Sequence, residues 1–231
     1  VWNLKTMEAF ASAVKEVESD PEIRVLVITG SGEKCFSAGF DVKDAAQAHL
    51  ISPKGRETWR RLDQFPKPVI AGLNGSALGG GLELALSCHF RIMADRSTAA
   101  LGLTELNLGI IPGWGGTQRL PRLIGRSKAL EMILFSRRLS AREALDIGLV
   151  DRLVAPSDFW DEVMTMARRL AERPPIAVQC VLESFSVGLS QGLEAGLNVE
   201  AEGSNRVRET EDRQEGFQAF LEKRKPEFKG R

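Results

Sequence analysis

Residues 67–92 read KPVIAGLNGSALGGGLELALSCHFRI, and this stretch decides the fold class. Val69 to Leu73 is an unbroken apolar run, the pattern of a strand buried on both faces. Gly79, Gly80 and Gly81 then open a short helix over Leu82–Cys88, and Phe90 to Ala94 returns as a second buried strand. Buried strands alternating with helices mark an α/β architecture, with parallel pairing expected.

The alternation continues upstream. Leu4, Met7, Phe10, Ala11, Val14 and Val17 recur at helical spacing. Arg24–Thr29 reads as a strand ended by Gly30-Ser31-Gly32, and a second helix spans Pro53–Phe65 before Pro66-Lys67-Pro68 breaks it. Downstream of Thr117 the pattern turns helical, over Ser127–Phe135, Ala141–Ile147, Asp158–Glu172, Pro175–Val187, Leu193–Thr210 and Arg213–Arg224. The expected division is an α/β core over residues 1–156 that carries the site, followed by a helical region over residues 157–231. Apolar stripes in that region suggest packing against other subunits as well as its own core.

Composition excludes several classes. The 231 residues fit one domain, and 31 basic residues against 31 acidic ones leave no global drive toward nucleic acid or an anionic membrane. With 43% apolar and 27% charged residues, the chain is neither disordered nor fibrous. Cys35, Cys88 and Cys180 are far apart without a CxxC pair, so reduced thiols are expected, in the cytoplasm or, in a eukaryote, the mitochondrial matrix. No apolar run reaches the roughly 18 residues a membrane span needs. The chain opens at Val1 without an initiator Met, so a processed or trimmed start is expected.

The only histidines are His49 and His89, and HExxH is absent, so no metal site is expected. Gly188-Leu189-Ser190-Gln191-Gly192 matches GxSxG but joins two predicted helices with no His after it, and reads as a helix linker. Cys88-His89 is not expected to act as a dyad, because neighbours in a strand point to opposite faces. Neither GxGxxG after a strand nor GxxxxGK[ST] occurs, which argues against a nucleotide cofactor.

Two glycine-containing turns remain, each following a strand: Cys35-Phe36-Ser37-Ala38-Gly39-Phe40-Asp41 and Gly75 to Glu83. Glycine lets backbone approach a ligand closely, and the triple glycine leads into a helix N-terminus that favours an anionic oxygen. One free N–H from each turn would form an oxyanion hole. Beside them stand acids: Glu83 in the first turn of the short helix, and Glu105 upstream of Ile111-Pro112-Gly113-Trp114-Gly115-Gly116-Thr117-Gln118-Arg119. A carboxylate pair beside an oxyanion hole suits moving protons next to a carbonyl.

Together with CFSAGFD, LGLTELNLGIIPGWGGTQRLPRLIG, LSAREALDIGLVDRLV and EGFQAFLEKRKPEF, the opening stretch resembles the crotonase (enoyl-CoA hydratase/isomerase) superfamily over almost the whole chain. The resemblance implies a crotonase-like ββα spiral with a C-terminal helical trimerisation region, assembled as a homotrimer or dimer of trimers. It implies an acyl-CoA substrate, with coenzyme A as part of that substrate and no separate cofactor. It places the N–H groups of Phe40 and Gly80 in the oxyanion hole, Glu83 and Glu105 as the catalytic carboxylates, and Gly113 N–H beside the water. The segment Phe36, Ala38, Gly39, Asp41 would receive the adenine end, Lys223 is a candidate phosphate contact, and Trp114 would shape the acyl pocket. Both acids are present, which favours hydration of a 2-enoyl thioester over isomerisation.

Departures from the family pattern are a slightly longer Cys88–Gly102 interval, His89 where an Asp is common, Trp114 at a position usually small, and a start at Val1-Trp2-Asn3-Leu4 partway through the family's first strand and turn. Other crotonase reactions (isomerase, hydrolase or C–C lyase) are the alternatives. RNA binding through Arg60-Arg61, Arg137-Arg138, Arg168-Arg169 and Lys223–Lys225 is the reading from a different class.

Overall fold

The computed structural model describes residues 1–231. Helix α1 (Leu4–Ser19) begins at a reciprocal cap: Thr6 N–H donates to the Asn3 side chain and Asn3 N–H to Thr6 Oγ1. There follow β1 (Leu26–Thr29), β2 (Cys35–Ser37), α2 (Ala48–Asp63), β3 (Val69–Leu73), β4 (Ser76–Leu78), α3 (Gly80–Ser87), β5 (Phe90–Ala94) and β6 (Ala100–Gly102). The strands go by turns to two sheets. One is parallel, in the order β1-β3-β5-β8, where β8 is Arg152–Val154. The other runs β2-β4-β6-β7, parallel except where β6 meets β7 (Leu139–Ser140). Each successive pair of strands therefore adds one strand to each sheet, and the chain winds as a ββα spiral. Strand β3 is central to the first sheet and buried at every position, the reason its sequence shows no polar alternation.

Two expectations need correction. The glycine segments at Cys35–Asp41 and Gly75–Glu83 are not turns throughout, since each contains a three-residue strand, β2 and β4. Strands that short show no periodicity of their own and are held by the neighbouring ladder. Helix α2 begins at Ala48 rather than Pro53, because the 3₁₀ turn Val42–Gln47 runs straight into it. Pro53 is tolerated one turn inside, where its missing N–H costs a single early hydrogen bond.

The remaining helices are α4 (Gly116–Ile124), α5 (Arg126–Leu134), α6 (Ala141–Asp146), α7 (Phe159–Ala171), α8 (Pro175–Gln191), α9 (Leu193–Arg208) and α10 (Glu211–Glu222). Residues Phe159, Val163, Met166 and Ala167 of α7 pack on Ile70, Ile92 and Ala94 of the first sheet, so this helix, which follows the 156/157 division, lies on the spiral. Helices α8 and α9 form a hairpin crossing at glycine: a Cβ on Gly196 would lie 2.8 Å from Gly188 Cα. Residues 188–191 are the last turn of α8, and Ser190 Oγ donates to Ser186 O, so GxSxG makes no elbow here. No helix is long and apolar enough to cross a membrane.

The close helix crossing is testable. Overpacking a tight contact typically costs about 1–3 kcal/mol. Gly196→Val should therefore lower Tm by several degrees, and an unchanged Tm in calorimetry would show that the α8–α9 hairpin is not packed backbone to backbone.

Candidate active site

The two strand-end loops touch through their backbones. Gly39, with φ at +83°, lies where a Cβ would come 2.8 Å from both Gly80 N and Leu78 O. A Cβ on Gly81 would likewise overlap the Ser37 peptide. The first loop is braced from both sides: Gly39 N–H donates to Ser37 Oγ (3.2 Å), Trp2 N–H to Gly39 O (2.8 Å) and Asp41 N–H to Trp2 O (3.0 Å). Between these bonds the Phe40 N–H makes none. Gly80 N–H, first in α3, has no acceptor within the helix. Each of the two touching loops thus carries one unbonded N–H, that of Gly80 at the positive end of a helix dipole.

Glu83, in the first turn of α3, is only 2% exposed. Its Oε1 accepts from Trp114 N–H (2.8 Å) and Gly116 N–H (2.7 Å). Burial raises its pKa, while those two N–H groups and the Arg119 charge hold it down. Glu105 opens the 3₁₀ turn Glu105–Leu108 after β6 and is 9% exposed. Its Oε2 is buried without a partner, and its Oε1 lies 3.1 Å from where a Gly79 Cβ would stand. Burial pushes Glu105 up to about 7, and the charge of Glu83 adds to the shift. The two acids differ in kind: one is anchored by amides that favour the carboxylate, the other is free to carry a proton near neutrality.

Trp114 forms the wall of this site. Its ring lies against Gly80 and Gly55, where added Cβ atoms would fall 2.6 Å from Cε3 and 2.7 Å from Cε2. It meets Phe40 edge-on at 6.5 Å and Trp59 at 5.4 Å. Trp59 Nε1–H donates to Gly80 O (3.2 Å), fixing the peptide unit that follows the free N–H. Gly113 is exposed, and its N–H is unbonded while those of Trp114 and Gly116 are taken by Glu83.

The expected adenine segment divides. Ala38 is exposed and Gly39 is buried under the second loop, while the Phe36 side chain belongs to the core. Asp41 accepts from Lys43 N–H and caps the following 3₁₀ turn. Lys223 is exposed at a left-handed φ of +56° at the end of α10, and no hydrogen bond or ion pair joins it to that segment. Of the basic clusters, Arg61, Arg137, Arg224 and Lys225 are each paired with a glutamate, which weakens them as a nucleic-acid surface. His89 lies beyond the end of α3, its Nδ1 accepting from Val69 N–H (2.9 Å), and burial lowers its pKa to about 4. Cys88 Sγ is turned back to Leu84 O instead, so the pair forms no dyad.

Sequence reasoning missed three supports. Trp59 reads as a core residue of a helix. Asn74 ties the turn after β1 to the end of β3, bonding Gly30 N and the carbonyls of Gly30 and Gly32. The Asp63–Arg119 pair joins residues 56 apart in the chain, and no local pattern marks it.

The raised Glu105 pKa carries a stability consequence. A carboxyl whose folded pKa lies above its value of 4.5 opposes folding as pH rises from 4.5 through about 7. Glu105→Gln removes that ionisation, so its Tm should exceed the parent's increasingly from pH 4 to pH 8, by up to roughly 3 kcal/mol of stability. A difference independent of pH would place Glu105 in solvent.

The family model described as Enoyl-CoA hydratase/isomerase matches residues 2–231. A probable enoyl-CoA hydratase of Bacillus subtilis is 42% identical, over 98% of this chain and 89% of that one. A short-chain-enoyl-CoA hydratase of Clostridium acetobutylicum is 38% identical, over 99% and 89%. The crystal structure of an enoyl-CoA hydratase from Bacillus anthracis superposes with a TM-score of 0.95 at 43% identity, covering 100% of this chain and 90% of that one.

Proposed function

The chain belongs to the enoyl-CoA hydratase/isomerase family, and from that premise we propose that it adds water across the double bond of a 2-enoyl-CoA thioester. The observation that carries the reading is the unlike pair of buried acids beside two unbonded N–H groups. Phe40 N–H and Gly80 N–H bind the thioester oxygen and draw electron density from Cβ. Water lies between the carboxyls, with Gly113 N–H beside it. Glu83 takes a proton as the water oxygen bonds to Cβ, and the π electrons pass through Cα onto the held oxygen. Protonated Glu105 delivers its proton to Cα, restoring the carbonyl. Proton transfer from Glu83 back to Glu105 resets the pair, so one water has been added and nothing else consumed.

The Ala38 region with Lys223 receives the coenzyme A moiety, and Trp114 bounds the acyl tail beside Phe40. Phe185, Leu189, Leu193, Phe220 and Leu221 expose large apolar surfaces on α8 to α10, which supports a trimer or a dimer of trimers. Light scattering should give a trimeric or hexameric mass, and a monomer at micromolar concentration would remove the interface.

Crotonyl-CoA should lose its conjugated absorbance and gain the mass of one water. Longer enoyl thioesters run alongside measure how far the Trp114 wall limits the tail. Glu83→Gln and Glu105→Gln should each cut turnover about 10²–10⁴-fold with thioester binding nearly intact. A product of unchanged mass with a shifted double bond would make the enzyme an isomerase, and full turnover by Glu105→Gln would take that residue out of the reaction.

A further inference from the structure

We propose that Arg119, oriented by Asp63, is a positioning residue that sets the reactive geometry of Glu83; the proposal rests on the hydratase reading. Arg119 lies on α4 and Asp63 is the last residue of α2. The guanidinium grips the carboxylate with two bonds, Nε to Oδ1 at 2.7 Å and Nη2 to Oδ2 at 2.5 Å. Its third arm, Nη1, donates to the carbonyl of Trp114 at 2.7 Å. The same residue's N–H, with that of Gly116, is what holds Glu83 Oε1. The chain of contact therefore runs from Asp63 through Arg119 and the Trp114 peptides to one oxygen of Glu83, leaving the other oxygen for chemistry.

Gly115 makes room for this clamp. It takes φ at +110°, and a Cβ there would collide with the Arg119 guanidinium, 2.8 Å from Cζ. A left-handed glycine thus admits an arginine beneath the loop whose amides face the acid. The arrangement is enclosed, with the Arg119 side chain 16% exposed. Arg119 belongs to the site's electrostatics as well as its shape, since its charge opposes the effect of burial on Glu83. The charge of Glu83 in turn acts on Glu105; of the elements packed on α3, α4 brings Arg119 and α2 brings Asp63, which Arg119 holds, while β2 and β4 carry no charged residue. Misplacing a reacting group by about 1 Å can cost 10²-fold in rate without any loss of substrate contact.

The test uses the whole 231-residue chain with crotonyl-CoA and a second readout, the titration of Glu83 followed by carboxyl ¹³C resonances. Arg119→Gln should lower kcat by about 10²-fold with KM changed less than about threefold. It should also move the acidic limb of the kcat profile, and the Glu83 titration, to higher pH. Arg119→Lys keeps the charge but cannot fork, so its acidic limb should stay near that of the parent while kcat falls. A folded Arg119→Gln with parental kcat and titration overturns the proposal, as does a loss confined to KM. If Arg119→Gln does not fold, Asp63→Asn decides: a smaller loss of kcat in the same direction is expected, and unchanged kcat and titration overturn the proposal. A parent enzyme inert toward every enoyl-CoA would instead sink the hydratase reading, and the Glu83 titration in the variants would still decide the role of Arg119.

Discussion

Backbone passing within side-chain distance of backbone is the constraint on which the site depends. Where the first strand-end loop crosses the second, neither Gly39 nor Gly81 has space for a β-carbon. A methyl group at either crossing would separate the loops and pull apart their two unbonded amides. The spiral produces such crossings because successive turns stack their strand ends side by side, at a spacing set by peptide ladders rather than by side chains. On the proposed reading, electrophilic assistance is a by-product of stacking, supplied by main-chain groups that no side-chain change removes directly.

Two carboxyls buried in the same cleft would destabilise the fold if both were ionised and unpartnered. The structure treats them unequally. Glu83 is given two amides and a nearby guanidinium, whereas Glu105 is left with an orphaned oxygen. The unfavourable burial is thereby concentrated on one residue, the one whose proton is most readily exchanged near neutral pH. Local instability and the proton transfer proposed for Glu105 have the same origin, a carboxyl deprived of water.

Much of the fold could be read directly, for identifiable reasons. Strand β3 and helix α1 have cores wide enough to leave unbroken or periodic apolar patterns over five and sixteen residues. Strands β2 and β4 have three residues each, include small or polar side chains, and exist because a neighbour supplies the ladder. The spiral itself came from family resemblance and not from periodicity, which detects elements but not how they wind. Glu83 and Glu105 stood out because acids beside glycine turns are chemically legible. Trp59, Asn74 and Asp63 act through contacts with residues distant in sequence, and nothing in their local surroundings marks them.

The aromatic packing behind the site has an optical consequence. The chain has four tryptophans and no tyrosine, so its near-ultraviolet emission arises from indoles alone. Three of them form a file: Trp2 to Trp59 at 5.2 Å and Trp59 to Trp114 at 5.4 Å between ring centroids. At that separation excitation migrates freely among the rings, so the member with the lowest-energy state emits for all three. Trp114 stands at the end of the file that touches Gly80, while Trp160 lies apart, half exposed against Phe159. A molecule entering beside Gly80 therefore perturbs the light of most of the protein's chromophores through one ring. The file of rings is a built-in, label-free reporter of what binds beside Gly80.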